Sequence, residues 1–133
     1  MVTAEKEKSS IEEVFGPVIH SYSRAEAIED GVLIDLTRNF PSDTRLFKWP
    51  VACTSRVWER METAAEKQGS DLGLCVWDIC YMAIHGVISR PDPSMVFFQV
   101  ALPLGGPLET LKMVCGPGDH GEPVLTFMFP DED

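Results

Sequence analysis

Leu108-Glu-Thr-Leu-Lys-Met-Val-Cys115, Gly116-Pro-Gly-Asp-His-Gly-Glu-Pro123 and Val124-Leu-Thr-Phe-Met-Phe-Pro130 decide the fold. Two apolar, β-prone runs flank a loop rich in Gly and Pro. That is the pattern of a hairpin whose loop is longer than a two-residue turn. Alternation puts Leu111, Met113 and Cys115 on one face of the first strand, and Leu125, Phe127 and Phe129 on one face of the second. A lone hairpin is not stable in water, so the rest of the chain must cover this face.

Working outward, Met95 to Leu102 alternates, with Val96, Phe98, Val100 and Leu102 on one side, and reads as a strand that makes a three-strand meander with the hairpin. Asp71 to Ser89 is apolar almost all round, as in a helix buried inside its domain, with Trp77 among its core residues. Arg90-Pro91-Asp92-Pro93 ends it. Ser55 to Lys67 is amphipathic. Val57, Trp58, Met61, Ala64 and Ala65 share one face, Thr54 or Ser55 can cap the start, and Gly69 ends it. Ser23 and Glu26 form a capping box for a short helix over residues 24–30, closed by Gly31. Val32 to Leu36 is the first strand. Thr37 to Pro50 reads as a loop. Residues 1–10 read as a flexible tail, and Ile11, Val14 and Phe15 as one helical turn. With helices in the middle and strands gathered at the end, the expectation is one α+β domain over residues 11–133. It has a small antiparallel sheet, the C-terminal three-strand meander, a buried central helix and one amphipathic helix.

At 133 residues the chain can bury a real core. Its formal net charge is −10, and the charge is uneven. Residues 1–68 hold 12 Asp/Glu and 9 Lys/Arg, whereas residues 69–133 hold 9 Asp/Glu against Arg90 and Lys112 alone. That balance argues against direct binding to nucleic-acid phosphates, which needs clustered cations. It suits either plain solubility or a basic protein partner. Cys53, Cys75, Cys80 and Cys115 form no C-x-x-C pair. No export signal or membrane-spanning stretch is read, so reduced, mostly buried thiols in a cytoplasm are expected.

Two stretches carry a resemblance. One runs from Phe15-Gly16-Pro17 through Ser23-Arg24-Ala25-Glu26 to Asp35. The other runs from Lys112 through Gly116-Pro117-Gly118-Asp119-His120-Gly121-Glu122-Pro123 to Asp133. Together they resemble a family of small bacterial proteins classed as a domain of unknown function and met on plasmids, phages and other mobile elements. The resemblance brings no catalytic residues. It implies an accessory protein of a mobile element in a bacterial cytoplasm, a setting where some small acidic proteins inhibit host defence by binding nucleic-acid-binding factors.

The candidate sites follow from these readings. Asp119, Glu122, Asp131, Glu132 and Asp133 are loop and tail charges available to a basic partner, at positions expected to tolerate change. Phe47 and Trp49, beside Arg45 and Lys48, are the residue types that anchor protein interfaces, and they can equally fold onto the core. Asp78 and His85, seven apart on the long helix, are the alternative: a carboxylate orienting an imidazole for acid–base chemistry. The Gly116–Gly121 loop is not a phosphate cradle, because Pro117 removes a donor and Asp119 and Glu122 repel anions. His20, His85 and His120 have no ligand spacing with the cysteines, so no metal and no cofactor is expected.

Overall fold

A computed structural model describes residues 22–69, 71–88, 94–102 and 106–132. The expected tail, the turn at Ile11–Phe15 and Asp133 lie outside them. The elements, in chain order, are α1 (Arg24–Glu29), β1 (Leu33–Asp35), α2 (Leu36–Asn39), β2 (Val51–Thr54), α3 (Ser55–Gln68), α4 (Leu72–Ile88), β3 (Met95–Ala101), β4 (Leu108–Pro117) and β5 (Pro123–Met128). The fold is α+β. Its sheet has five strands in the order β1-β2-β5-β4-β3.

The hairpin stands at the centre of this order. β4 and β5 pair antiparallel from Lys112↔Met128 to Pro117↔Pro123, and β3 adds to β4 from Met95↔Val114 to Ala101↔Leu108. On the other side of β5 the sheet departs from a purely antiparallel plan. β2 runs parallel to β5, with Val51 opposite Leu125 and Cys53 opposite Phe127, and β1 closes the far edge antiparallel to β2. In the sequence, Val51, Ala52 and Cys53 lie between the expected Thr37–Pro50 loop and the helix cap and are assigned to no element. All four residues of β2 are buried, because it is an interior strand with both faces covered. An interior strand shows no alternation, and alternation is the signal by which a strand is read. α2 spans the end of the expected first strand and the start of the expected loop; Asp35 caps it by accepting from the Arg38 N–H at 3.0 Å.

The core lies between the sheet and α3 with α4. Leu111, Met113, Leu125 and Phe127 point into it from the hairpin, and Val57, Met61, Ala64, Val76, Ile79 and Ala83 meet them from the helices. Phe127 is fully buried, with its ring edge-on to Phe98 and Phe47. α3 starts where Thr54 accepts from the Val57 N–H, and ends at Gly69, which takes the left-handed conformation at φ 65°. α4 lies across β3, and Gly86 is the point of closest approach: a Cβ there would stand 2.6 Å from Cγ1 of Val96.

Among the described residues one side of α4 is covered, and Leu74, Tyr81 and Met82 on the other are exposed. Trp77 belongs to this shoulder and not to the core. It is half-buried, stacked with Tyr81, and lies under the Arg45 guanidinium at 4.7 Å. The long apolar run is continuous in sequence, but the sheet and α3 do not surround the helix.

α1 is tied to the other face of the sheet. Arg24 donates from Nη1 to Thr126 Oγ1 and from Nη2 to the Leu125 carbonyl, both at 2.8 Å. Thr126 alternates with the core-facing Leu125 and Phe127, so this bond is made on the outer face. Burial lowers the pKa of Arg24; Asp35, Asp119 and Glu122 oppose that shift.

Candidate interaction site

The loop between α2 and β2 is pinned at two points. Thr44 is buried and donates from Oγ1 to the Phe40 carbonyl at 2.9 Å, and Phe40 packs its ring 6.0 Å from Trp58. Phe47 turns inward to Phe127, with centroids 6.4 Å apart. Trp49 does not follow it. It stays 40% exposed, with Lys48 Nζ 5.0 Å from its ring centroid. The two aromatics therefore divide: one anchors the loop and the other is presented by it.

Between them opens an apolar groove of about 380 Å³. Ile84 and Val87 of α4 form one wall, Met113 and Cys115 of β4 with Leu125 of β5 form the floor, and Phe47 and Trp49 form the rim. It opens where Ile84 and Val87 of α4 stand opposite the loop that carries Phe47 and Trp49, and its floor is part of the hairpin's inward face.

The acidic candidates are placed differently from the expectation of free surface charges. The Asp119 carboxylate accepts from the N–H groups of Arg24 at 2.8 Å and Ala25 at 3.0 Å. These are the first two donors of α1, and Ser23 Oγ takes the third, from Glu26, at 3.0 Å. Asp119 is thus a helix cap supplied from the hairpin loop. The two backbone bonds hold its carboxyl below the usual Asp range. Glu122 accepts from the His120 N–H at 2.9 Å within its own loop, where Gly121 has φ 82°.

Asp131 pairs with Arg56 Nη1 at 3.2 Å. Glu132 accepts from Thr54 Oγ1 at 2.9 Å and from the Phe129 N–H at 2.8 Å, closing the chain end onto β2. Asp119 and Glu132 are acceptors within the fold, so substituting them is expected to loosen α1 and the contact with β2.

Asp78 is half-buried, and desolvation raises its pKa. It lines a cavity of about 410 Å³ with Trp77, Tyr81 and Gln99, a lining that does not include His85. Seven residues of helix separate the pair by about 10 Å along the axis. The exposed His85 ring meets the edge of Tyr81 at 4.5 Å. Burial, the larger effect at each, pushes the Cys53 and Cys80 thiols up to about 12, with Glu132 and Asp43 respectively adding to it; both sulfurs sit in the core as small hydrophobes. Among the described residues, no group of three or more His, Cys, Asp or Glu is arranged to hold a metal ion, and no helix is long and apolar enough to cross a membrane.

The chain belongs to a family of unknown function, DUF6573, whose model matches residues 13–133. No curated protein and no solved structure matches it.

Proposed function

We propose that this DUF6573 member is an acidic, non-enzymatic protein-binding accessory of a bacterial mobile element. It acts in the cytoplasm on a basic host factor, by occupying the surface that factor uses for nucleic acid. The observation that carries the reading is Trp49. A tryptophan held 40% exposed at the rim of an apolar groove is the arrangement from which binding hot spots are built. The net charge of −10 supplies the second element, selection of a basic partner.

The two elements act on different rate constants. Charge speeds encounter and is screened by salt, whereas the groove holds the partner once docked. Truncating Trp49 is expected to cost about 2 kcal/mol or more, about thirty-fold in affinity. The alternative, an enzyme using Asp78 and His85, draws on the raised pKa of Asp78 alone, since its cavity does not include His85.

The test is affinity capture from host lysate with the wild-type chain and Trp49→Ser in parallel, at low and high salt. The expected result is a basic nucleic-acid-binding protein held by the wild type at low salt and lost by the variant. Identical proteins on both baits would refute the groove as the interface.

A further inference from the structure

On the far side of α3 lies a separate cavity of about 450 Å³. One wall is a stripe of that helix. Arg56, Arg60 and Lys67 recur at steps of four and seven, which puts them on one helical face. They are three of the chain's eleven Lys and Arg, gathered at one concave site of a protein with net charge −10. Leu102, Pro107 and Phe129 supply an apolar floor.

The cations are held in different ways. Glu109 accepts from Arg60 Nε at 2.5 Å, which orients the guanidinium and leaves both Nη groups without a partner among the described residues. Lys67 has no ion pair among the described residues. Arg56 lies over the Phe129 ring at 4.7 Å and pairs with Asp131, with side chains 53% and 72% exposed. An exposed pair of that kind is worth little, and an incoming anion can replace Asp131. Glu59 is the single carboxylate on the lining, against three cations.

We propose that this cavity binds a small organic anion. Its phosphate or carboxylate sits between the Arg60 fork and Lys67, and its flat or apolar body rests on Pro107 and Phe129. The volume lies in the range of small-molecule sites, roughly 300–1,000 Å³. A guanidinium oriented through Nε presents its two Nη groups as a fork that matches either oxyanion. Glu59, Glu109 and Asp131 lie among the three cations, so binding depends on the donors they leave over: the two Nη groups of Arg60, the Lys67 ammonium, and Arg56 once an incoming anion replaces the exposed Asp131.

The experiment is calorimetric titration of the full chain with adenosine 5′-monophosphate, with indole-3-acetate, and with uncharged adenosine. One or both anions are expected to bind at one site, and adenosine is not. Heat from the monophosphate alone identifies a phosphate ligand, and heat from indole-3-acetate alone a carboxylate. Lys67→Met, at an exposed position that leaves the fold intact, weakens binding about ten-fold or more, as loss of a charge-assisted contact does. Arg60→Gln disturbs Glu109 as well, so Lys67→Met is the deciding variant. Arg38→Gln, a cation outside the cavity, leaves the affinity unchanged. Failure of both anions to bind at millimolar concentration, or wild-type affinity in Lys67→Met, overturns the proposal.

Discussion

Replacing Asp119 with Ala removes two hydrogen bonds that join loop to helix across 95 residues of sequence. The carboxylate accepts from the Arg24 N–H at 2.8 Å and the Ala25 N–H at 3.0 Å, so the variant leaves the first two donors of α1 to water. Loss of a helix cap costs about 0.5–2 kcal/mol. Asp119 is exposed, so water replaces part of what is lost, and about 1 kcal/mol is the expected cost. A urea slope of roughly 1–3 kcal/mol per molar turns that into a midpoint lower by about 0.3–1 M.

The sign with pH follows from the depressed pKa. The unfolded carboxyl titrates near its ordinary value of about 3.9, and the folded one below it. The stabilisation is therefore complete at pH values above about 4, and it is lost as pH falls through the folded pKa. Urea titrations of wild type and Asp119→Ala should differ by a constant amount from pH 5 to 8 and converge in acid. Coincident midpoints at neutral pH, or a difference that grows on acidification, would refute the cap.

Other outcomes follow from the packing. Phe127→Ala should cost about 3–5 kcal/mol, since the ring is fully buried, and Trp77→Ala distinctly less, since the indole is half-exposed; paired thermal melts decide the order. Gly86→Ala drives a methyl into Val96 and should destabilise by about 1–3 kcal/mol, measured by urea unfolding; wild-type stability would mean that α4 sits farther from β3. In the folded protein, mass spectrometry after brief alkylation at pH 8 should find Cys115 labelled first, because it is half-buried, and Cys53 and Cys80 unlabelled, because burial holds their thiols up to about 12.

Much of this architecture is legible in the residues. The hairpin's alternation places Leu111, Met113, Leu125 and Phe127 in the core, where they lie. Ser23 and Glu26 make the capping box that their spacing expects. α3 and α4 fall within a residue or two of the periodic segments. What was not legible depends on contacts distant in sequence. β2 carries no periodicity because neighbours cover both its faces, and its parallel pairing with β5 joins segments more than seventy residues apart. The lengths of Arg24 and Asp119 say nothing of their meeting.

The division of Phe47 from Trp49 depends on Phe127, which meets Phe47 from a strand far along the chain. Arg56, Arg60 and Lys67 could be read as one face of α3 from their spacing. That the face borders a cavity follows from Leu102, Pro107 and Phe129, which arrive from elsewhere in the chain.

The most direct measurement of the central claim is competition. The host factor recovered on the wild-type chain, bound to a labelled segment of its own nucleic acid, is titrated with this protein and followed by fluorescence anisotropy. The account predicts that wild-type protein displaces the nucleic acid, and that Trp49→Ser does so only at about thirty-fold higher concentration. A ternary complex in which nucleic acid stays bound while this protein adds to it would contradict the account.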